Sequence, residues 1–382
     1  MIERDIEPAL RRLWKQYPVV TLTGPRQSGK TTLVRSAFPE ADYVNLEAPD
    51  ILDEAVSDPR GFLRRHPAPA VFDEVQRFPD LLRYIQAEVD ERHRNGLYLL
   101  TGSHQPALQS AISESLAGRT GIADLYPLSV RELKRAGIRK TRDEWLVEGF
   151  MPRLYDGQPD HAQLYRDYFR TYVERDVRRL ADVRSLGAFE TFVRLLAGRV
   201  GQEVNASDLA GAVGVSAPTV RSWISILEAS FVVYVLRPYF GNFGKRLVKA
   251  PKVYFTEPGL AAWLLGIRTP EQMATHPLLG NLFENMVVME AVKARCNANL
   301  DPDLYFFRAP NQLEVDLLFD NAGTIRPVEI KAAQTFHADM GSKLRKFMSI
   351  AGKTERPAVV YAGRSIPSET GISALSFEDD WV

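Results

Sequence analysis

The chain has 382 residues, more than the ~100 to 200 of a typical single domain, which predicts two or three domains. Lys and Arg number 48 and Asp and Glu number 48, so a zero net charge provides no global attraction to nucleic acid or to an anionic membrane. With 45% hydrophobic and 25% charged residues, the composition is typical of globular proteins and excludes a disordered or low-complexity chain.

The cysteine content and the apolar stretches limit where the protein is expected to work. Its one cysteine, Cys296, excludes an intramolecular disulfide and a thiolate metal cluster, and this favours a reducing compartment. No apolar stretch approaches the ~20 residues of a membrane-spanning helix. Residues 1–14 mix acids and bases, unlike an export signal. We therefore expect a cytoplasmic protein without a membrane span.

The first third of the chain alternates short apolar runs with helical patterns. The runs that predict strands are residues 19–23, 42–46, 70–72 and 97–100. Helices are predicted between them, for example at residues 31–36 and 81–94. Strands that alternate with helices predict an α/β fold with a parallel sheet, and the ligands of such sheets bind beyond the carboxyl ends of the strands.

A phosphate-binding motif directly follows the first predicted strand. It matches the complete Walker A pattern, and the candidate nucleotide-binding residues are Gly24, Pro25, Arg26, Gln27, Ser28, Gly29, Lys30, Thr31 and the adjoining Thr32. Glycines let the backbone amides of such a loop surround phosphate oxygens, and the helix that follows directs its unpaired N–H groups toward them. Lys30 is expected to contact the outer phosphates of ATP, and Thr31 to donate its oxygen to Mg²⁺.

Two acids at the end of the 70–72 strand extend this site. Asp73 is a candidate for holding Mg²⁺ through water, and Glu74 for activating the attacking water. The strand at residues 97–100 leads into Thr101, Gly102 and Ser103, and Ser103 is the candidate sensor of the terminal phosphate. Together these residues predict ATP hydrolysis, with Glu74 and Lys30 as catalytic residues.

Residues 205–239 follow a different pattern. A helix at 207–213, a turn at Gly214, a second helix capped by Ser216 and a strand at 231–236 predict a winged-helix-like domain. The second helix carries few side chains that can contact base edges, namely Thr219, Arg221, Ser222 and Ser225. A wing would carry Lys245, Arg246, Lys249 and Lys252, which either contact DNA phosphates or form a solvated basic surface.

The last third of the chain combines a helix at 282–294 with strands at 304–307, 313–319 and 326–332. Side chains alternate along a strand, so Glu329 and Lys331 are expected on an outward face, opposite the apolar residues Val328 and Ile330. If the hairpin places Asp316 beside Glu329, these acids could bind Mg²⁺, with Lys331 acting on a phosphate. Glu284, on the preceding helix, is the further candidate ligand, and the alternative is an ordinary solvated face.

Several segments resemble one prokaryotic family. GPRQSGKTTL, the strand-end DE, YLLTGSH and LAGRTGIADLYPLSVREL are similar to AAA-type ATP-binding proteins whose C-terminal domain of unknown function has a restriction-endonuclease-like core. YFRTYVERDVRRLADV and KAPKVYFTEPGLAAWLLG resemble the middle of that family, although Glu257 stands where the family usually has aspartate. The resemblance implies that Arg119 acts on the phosphates, in cis or from a neighbouring subunit. The alternative is a surface arginine paired with Asp124 or Glu114.

The predicted organisation is an AAA-type P-loop ATPase core at residues 1–135, a helical region at 136–200, a winged-helix-like domain at 201–265 and a restriction-endonuclease-like α/β domain at 266–382. The predicted function is Mg²⁺-dependent ATP binding and hydrolysis, coupled to a C-terminal module with a DNA or protein partner. Two alternatives remain open, an ATP-controlled protein-binding module with an inert nuclease-like domain and an ATP-dependent nuclease. A homo-oligomer is compatible with each of them.

Overall fold

The structure is a computed structural model that describes residues 2–102, 106–157, 159–177, 185–239, 250–309, 313–367 and 371–382. The chain forms two compact units. The first comprises Met1–Leu128 with the short segments Ala229–Phe231 and Arg295–Leu300, and the second comprises Ser129–Glu228, Val232–Ala294 and Asp301–Val382. Across these described ranges, no helix is both long enough and apolar enough to traverse a bilayer.

The first unit is built from alternating helices and strands. Its helices are α1 (Glu7–Gln16), α2 (Lys30–Ala37), α3 (Pro49–Ser57), α4 (Pro59–Arg65), α5 (Leu81–Arg92) and α6 (Pro106–Ser115). Its strands are β1 (Val19–Thr23), β2 (Asp42–Asn45), β3 (Ala70–Asp73), β4 (Tyr98–Thr101) and β5 (Thr120–Asp124). All paired strands are parallel, in the order β2-β3-β4-β1-β5. The predicted parallel α/β sheet is therefore confirmed.

The central strands β1, β3 and β4 are buried along their whole length, which explains their continuous apolar runs. No strand is predicted from the sequence at β5. This edge strand contains Gly121 and Asp124 and exposes 52% of Ile122, so it lacks the apolar run that indicates a buried strand.

The second unit contains the remaining elements, except that the last residues of α12 and α15 belong to the two short segments of the first unit. Its helices are α7 (Val130–Arg135), α8 (Arg142–Glu148), α9 (His161–Tyr168), α10 (Leu186–Ala197), α11 (Ala206–Val213), α12 (Ala217–Ala229), α13 (Pro258–Leu264), α14 (Pro270–Ala274), α15 (Leu279–Asn297) and α16 (Ser342–Ile350), with a π-helical segment at Phe169–Val177. Its strands are β6 (Val233–Pro238), β7 (Lys252–Phe255), β8 (Leu304–Arg308), β9 (Glu314–Asn321), β10 (Thr324–Lys331), β11 (Ala358–Tyr361) and β12 (Ser373–Ser376).

These strands form one mixed sheet in the order β12-β11-β10-β9-β8-β6-β7. β8, β9 and β10 pair antiparallel, whereas β10, β11 and β12 pair parallel. The predicted hairpin is confirmed, and its turn lies at Ala322 and Gly323, both with positive φ (52° and 86°). At the other end of the sheet, β6 pairs antiparallel with β7 and parallel with β8.

The prediction that Glu329 lies on an outward face of β10 is wrong. Its side chain is fully buried, as are those of Val328 and Ile330 on the opposite face. β10 lies inside the sheet between β9 and β11, and α16 packs over β9 and β10. Alternation along the strand therefore does not separate a solvent face from a core face. Lys331, at the end of the strand, keeps a third of its side chain exposed.

The two helices predicted around Gly214 are confirmed as α11 and α12. Gly214 ends α11 in the left-handed conformation (φ 77°), and the Ser216 hydroxyl accepts the Thr219 N–H at 3.2 Å. The expected phosphate-contacting role of Lys252 is wrong, because its side chain lies in β7 and is only 2% exposed. Lys245, Arg246 and Lys249 lie outside the described residues.

Candidate functional site

The Walker A loop connects the carboxyl end of β1 to the first residue of α2, as predicted. Gly24 has φ +149°, and a Cβ there would lie 2.2 Å from the Leu125 carbonyl oxygen, so only glycine fits. Gly29 precedes the helix in the left-handed region, at φ 93°. These two backbone conformations turn the loop around the open amino end of α2.

Lys30 is directed into the loop. Its Nζ donates to the carbonyl oxygens of Gly24 (3.0 Å) and Pro25 (2.8 Å), and Ser28 Oγ also donates to the Pro25 carbonyl at 2.9 Å. The side chain of Lys30 is buried, and burial lowers its pKa to about 8 even though Glu74 and Asp73 favour the charged form. The ammonium group is therefore held where phosphate oxygens would compete with the loop carbonyls for it.

Arg4 supports the loop from outside the motif and was not predicted from the sequence. Its guanidinium donates to the carbonyl oxygens of Ser28 (2.8 Å) and Tyr126 (2.7 Å), which joins the loop to the segment after β5. Arg4 is almost completely buried. A pattern search has no signal for this contact, because the partner atoms are backbone oxygens far along the chain.

Asp73 collects several hydrogen bonds at the carboxyl edge of the sheet. Its Oδ2 accepts the hydroxyls of Thr31 and Tyr43, both at 2.6 Å, and its Oδ1 accepts the hydroxyl of Thr101. Burial and the hydrogen bond to Asp73 raise the pKa of Tyr43 well above its ordinary value, so the phenol stays a donor. The structure thus unites Thr31 and Asp73, as expected, and adds Tyr43 and Thr101.

Glu74 follows Asp73 in a left-handed backbone conformation, at φ 58°. This conformation is uncommon for a residue with a side chain and is typical of functional sites. The Gln76 amide donates to the Glu74 carboxylate, and Glu74 N–H donates to Asp73 Oδ1 at 3.1 Å. Gln76 was not predicted, because only its spatial position connects it to the acid.

Three further predicted nucleotide-binding residues are more exposed than Lys30. Arg26 is half-buried, whereas Gln27 and Thr32 are exposed, and Gln27 has a positive φ of 63°. Ser103, the predicted sensor, lies outside the described residues. Thr101, two residues before it, holds the position at the end of β4 from which a hydroxyl contacts Asp73.

Arg119 pairs with a different acid from those expected. Its guanidinium donates to both oxygens of Asp90 at 2.6 and 2.9 Å, so the expected pairing with Asp124 or Glu114 is wrong. Asp90 lies near the end of α5, far from Arg119 in the sequence. No local sequence pattern therefore indicates that the two residues form a pair.

The position of Arg119 in the sheet does not favour its action in cis. Arg119 precedes Thr120, which pairs with Val19 at the amino end of β1, whereas the Walker A loop follows Thr23 at the carboxyl end. A strand advances about 3.3 Å per residue, so these two edges of the sheet are about 13 Å apart. Action from a neighbouring subunit stays a prediction.

The predicted C-terminal residues form two adjoining groups in the second unit. Lys331 Nζ lies 2.5 Å from Glu329 Oε1 and 3.9 Å from Asp316 Oδ2. Glu284 instead accepts hydrogen bonds from Lys252 and Tyr254. Within the residues that the structure describes, no three His, Cys, Asp or Glu side chains are arranged to hold a metal ion.

The state of Lys30 leads to a prediction about proton uptake. Bound triphosphate stabilises the charged form, so at pH 8 ATP binding should take up about half a proton, and nearly one at pH 9. Calorimetry in buffers of different ionisation enthalpy measures this number. In a Lys30→Arg variant that still binds ATP, the uptake should vanish because arginine is always charged. Equal heats in all buffers at pH 9 would contradict the prediction.

Comparison with known proteins assigns the segments to families. An AAA domain matches residues 16–134, a domain of unknown function (DUF8612) matches residues 139–271, and another (DUF4143) matches residues 279–378. Among solved structures, a Walker-type ATPase of Pyrococcus abyssi, paby2304, is similar at 18% identity and a TM-score of 0.42, covering 69% of this chain and 96% of that one. AMPPCP-bound DnaA from Aquifex aeolicus is similar at 16% identity and a TM-score of 0.30, covering 58% and 85%.

Two curated relatives extend over nearly the whole chain. The uncharacterized proteins Mb2031c of Mycobacterium bovis and Rv2008c of Mycobacterium tuberculosis are each 32% identical over 363 residues, which cover 94% of this chain and 80% of theirs. The AAA match contains the Walker A loop and Asp73 and so agrees with the geometry of the first unit. The chain therefore belongs to the family of these mycobacterial proteins, and its residues 16–134 are an AAA domain.

Proposed function

We propose that the chain is a magnesium-dependent ATPase. The observation that carries the proposal is the 2.6 Å hydrogen bond between the Thr31 hydroxyl and the Asp73 carboxylate, with Lys30 and Glu74 adjoining it. A Walker A loop and an acidic strand end thus meet at the carboxyl edge of a parallel sheet, where nucleotides bind in this class of fold.

The residues present fit a magnesium ion. Thr31 and Asp73 offer a hydroxyl and a carboxylate oxygen, which are the hard donors that Mg²⁺ prefers. When bound with ATP, the ion would neutralise charge on the phosphate oxygens. Tyr43 and Thr101 orient the Asp73 carboxylate through their hydroxyls. Thr31 and Asp73 would therefore hold the ion, and Tyr43 and Thr101 would position Asp73.

Glu74 is the group that would activate water. Glu74 adjoins Asp73, and the Gln76 amide holds its carboxylate. Because the partner in this contact is an amide and not a cation, the contact orients the carboxylate without neutralising its charge. A carboxylate can accept the proton of a water that attacks the terminal phosphate. The loop amides and Lys30 would hold the phosphates in place during this attack.

The test compares Glu74→Gln with the unmodified chain. We expect phosphate release to fall by about 100- to 1,000-fold, because the base is lost, while ATP affinity in calorimetry is retained. EDTA should abolish turnover by the unmodified chain. Glu47→Gln removes an exposed carboxylate of the same unit and should change nothing. Undiminished turnover by Glu74→Gln would refute the assignment.

The element order also supports two fold proposals for the second unit. We propose that α15, β8, β9, β10, α16 and β11 form a restriction-endonuclease-like core, since a helix, an antiparallel meander, a helix and a parallel strand follow in that order. We propose a winged-helix-like arrangement for α11, α12, β6 and β7. Arg221, Ser222 and Ser225 are exposed on α12 and form the surface that a DNA or protein partner would contact.

A further inference from the structure

The C-terminal acids lie among lysines that the sequence pattern did not connect with them. Glu284 belongs to α15, Glu314 and Asp316 to β9, and Glu329 to β10. In nuclease-like sheets such acids bind a divalent cation, which is what the sequence predicted for three of them. The question is which positive charge balances them in this chain.

Lys252 provides that charge at the first pair of acids. Its Nζ lies 2.9 Å from Glu284 Oε1 and 2.6 Å from Glu314 Oε1, and its side chain is almost fully buried. Tyr254 donates its hydroxyl to the same Glu284 oxygen at 2.6 Å. The lysine comes from β7, at the far end of the sheet in strand order, so the contact depends on the folded unit and not on a local motif.

The electrostatics of this group favour the charged amine. The Lys252 amine lies within ion-pair distance of two carboxylate oxygens, one of Glu284 and one of Glu314, and nearby opposite charges favour the charged form of an amine. Removal of one partner from a buried ion pair leaves an uncompensated charge, which is strongly destabilising. Lys252 therefore supplies a positive charge to both acids.

The second pair of acids is also engaged. Glu329 Oε1 lies 2.5 Å from Lys331 Nζ and 3.2 Å from Lys343 Nζ. Asp316 Oδ2 accepts the Ile330 N–H at 2.8 Å. In the parts of the chain that are described, no metal-binding group of three or more such side chains is formed. The donor set therefore does not fit a divalent cation.

We infer that the ammonium group of Lys252 takes the place of a divalent cation between Glu284 and Glu314, and that it thereby prevents Glu284 from joining Asp316 and Glu329 in binding a metal. An ammonium satisfies the carboxylates as a point charge but cannot coordinate water or phosphate oxygens as a metal does. The C-terminal sheet then keeps the acids of a nuclease-like site as a neutralised internal network. This inference is independent of the proposed ATPase activity, and it rests on the restriction-endonuclease-like core proposed above.

The test removes the ammonium and measures metal binding. Asp73→Asn is placed in every chain, so that the phosphate-loop site contributes no metal, and no nucleotide is added. With Lys252→Met, a substitution of similar length without charge, Mn²⁺ binding measured by electron paramagnetic resonance should tighten by roughly tenfold or more. Adding Glu284→Gln should cancel this gain, and Lys343→Met, which removes a more exposed lysine of the same cluster, should not produce it.

Thermal unfolding keeps the inference testable if the unpaired acids weaken the Lys252→Met chain. Mn²⁺ should raise the melting temperature of this variant and leave that of Lys252→Arg unchanged, because arginine retains the positive charge. Two results would overturn the inference. One is Mn²⁺ binding by the chain that keeps Lys252, lost on Glu284→Gln. The other is a Lys252→Met chain with unchanged circular dichroism and no gain in Mn²⁺ affinity or in melting temperature.

Discussion

Replacement of Gly24 by alanine is expected to abolish ATP binding and to lower the free energy of unfolding of the first unit by more than about 2 kcal/mol. The added Cβ would lie 2.2 Å from the Leu125 carbonyl oxygen and 3.1 Å from its carbon, and both atoms are backbone. A backbone contact cannot be relieved by a rotamer change, so the loop must move away from the segment that follows β5. This movement separates the loop amides from Lys30 and removes the phosphate-binding geometry.

Gly118→Ala provides the matched control for this substitution. Gly118 lies in the same unit and also has a positive φ, +73°, but an added Cβ there meets nothing within 4 Å. We expect Gly118→Ala to lower the free energy of unfolding by about 1 kcal/mol through backbone conformation alone and to leave ATP affinity unchanged. Urea unfolding followed by tryptophan fluorescence, together with calorimetric titration of ATP, measures both effects. Equal losses for the two variants would show that the Leu125 contact is not the cause.

Substitution of Glu257 is expected to have the largest effect on the second unit. Its Oε1 accepts the N–H groups of Phe150 (2.9 Å) and Gly259 (3.3 Å) and the hydroxyl of Tyr165 (3.0 Å), all buried. Glu257→Ala would leave these donors without an acceptor and should lower the free energy of unfolding by about 3 kcal/mol. Glu257→Gln keeps an oxygen at this position, so it should lower the free energy of unfolding much less than Glu257→Ala does.

The pH dependence separates charge from hydrogen bonding at Glu257. Burial raises its pKa to about 6, despite the opposing influence of Lys293, and Oε2 is buried without a hydrogen-bond partner in the part of the chain that is described. A raised pKa stabilises the folded state below pH 4.5, and this contribution is lost as the pH rises through 6. This contribution amounts to about 2 kcal/mol. Between pH 4.5 and 7, the free energy of unfolding of Glu257→Gln should therefore rise by that much relative to that of the unmodified chain. A pH-independent difference in urea midpoints would contradict this.

The sequence predicted most of the first unit because its signals are local. Buried strands give continuous apolar runs, and the Walker A loop places Lys30 and Thr31 by its spacing alone. The contacts it did not predict join distant segments, as Arg4 and Tyr43 do. The position of Arg119 required the strand register, which places it at the edge of the sheet away from the phosphate loop.

In the second unit, β6, the strands β8 to β10 and the hairpin were predicted, whereas β7, β11, β12 and the environment of the side chains were not. Alternation indicates a solvent face only when one side of a sheet is open, and α16 covers β9 and β10. Glu329 is buried for this reason. Lys252 was assigned to a basic surface because it follows other lysines in sequence, whereas the fold pairs it with Glu284 and Glu314.

The contact of Arg4 with the phosphate loop has a practical consequence for recombinant fragments. The AAA match begins at residue 16, and a fragment cut there contains the whole Walker A loop and Asp73. It would lack the guanidinium that bonds the Ser28 and Tyr126 carbonyls, so two buried acceptors would open to water and the loop would lose its tie to β5. Fragments intended for crystallisation or kinetics should therefore start upstream of Arg4.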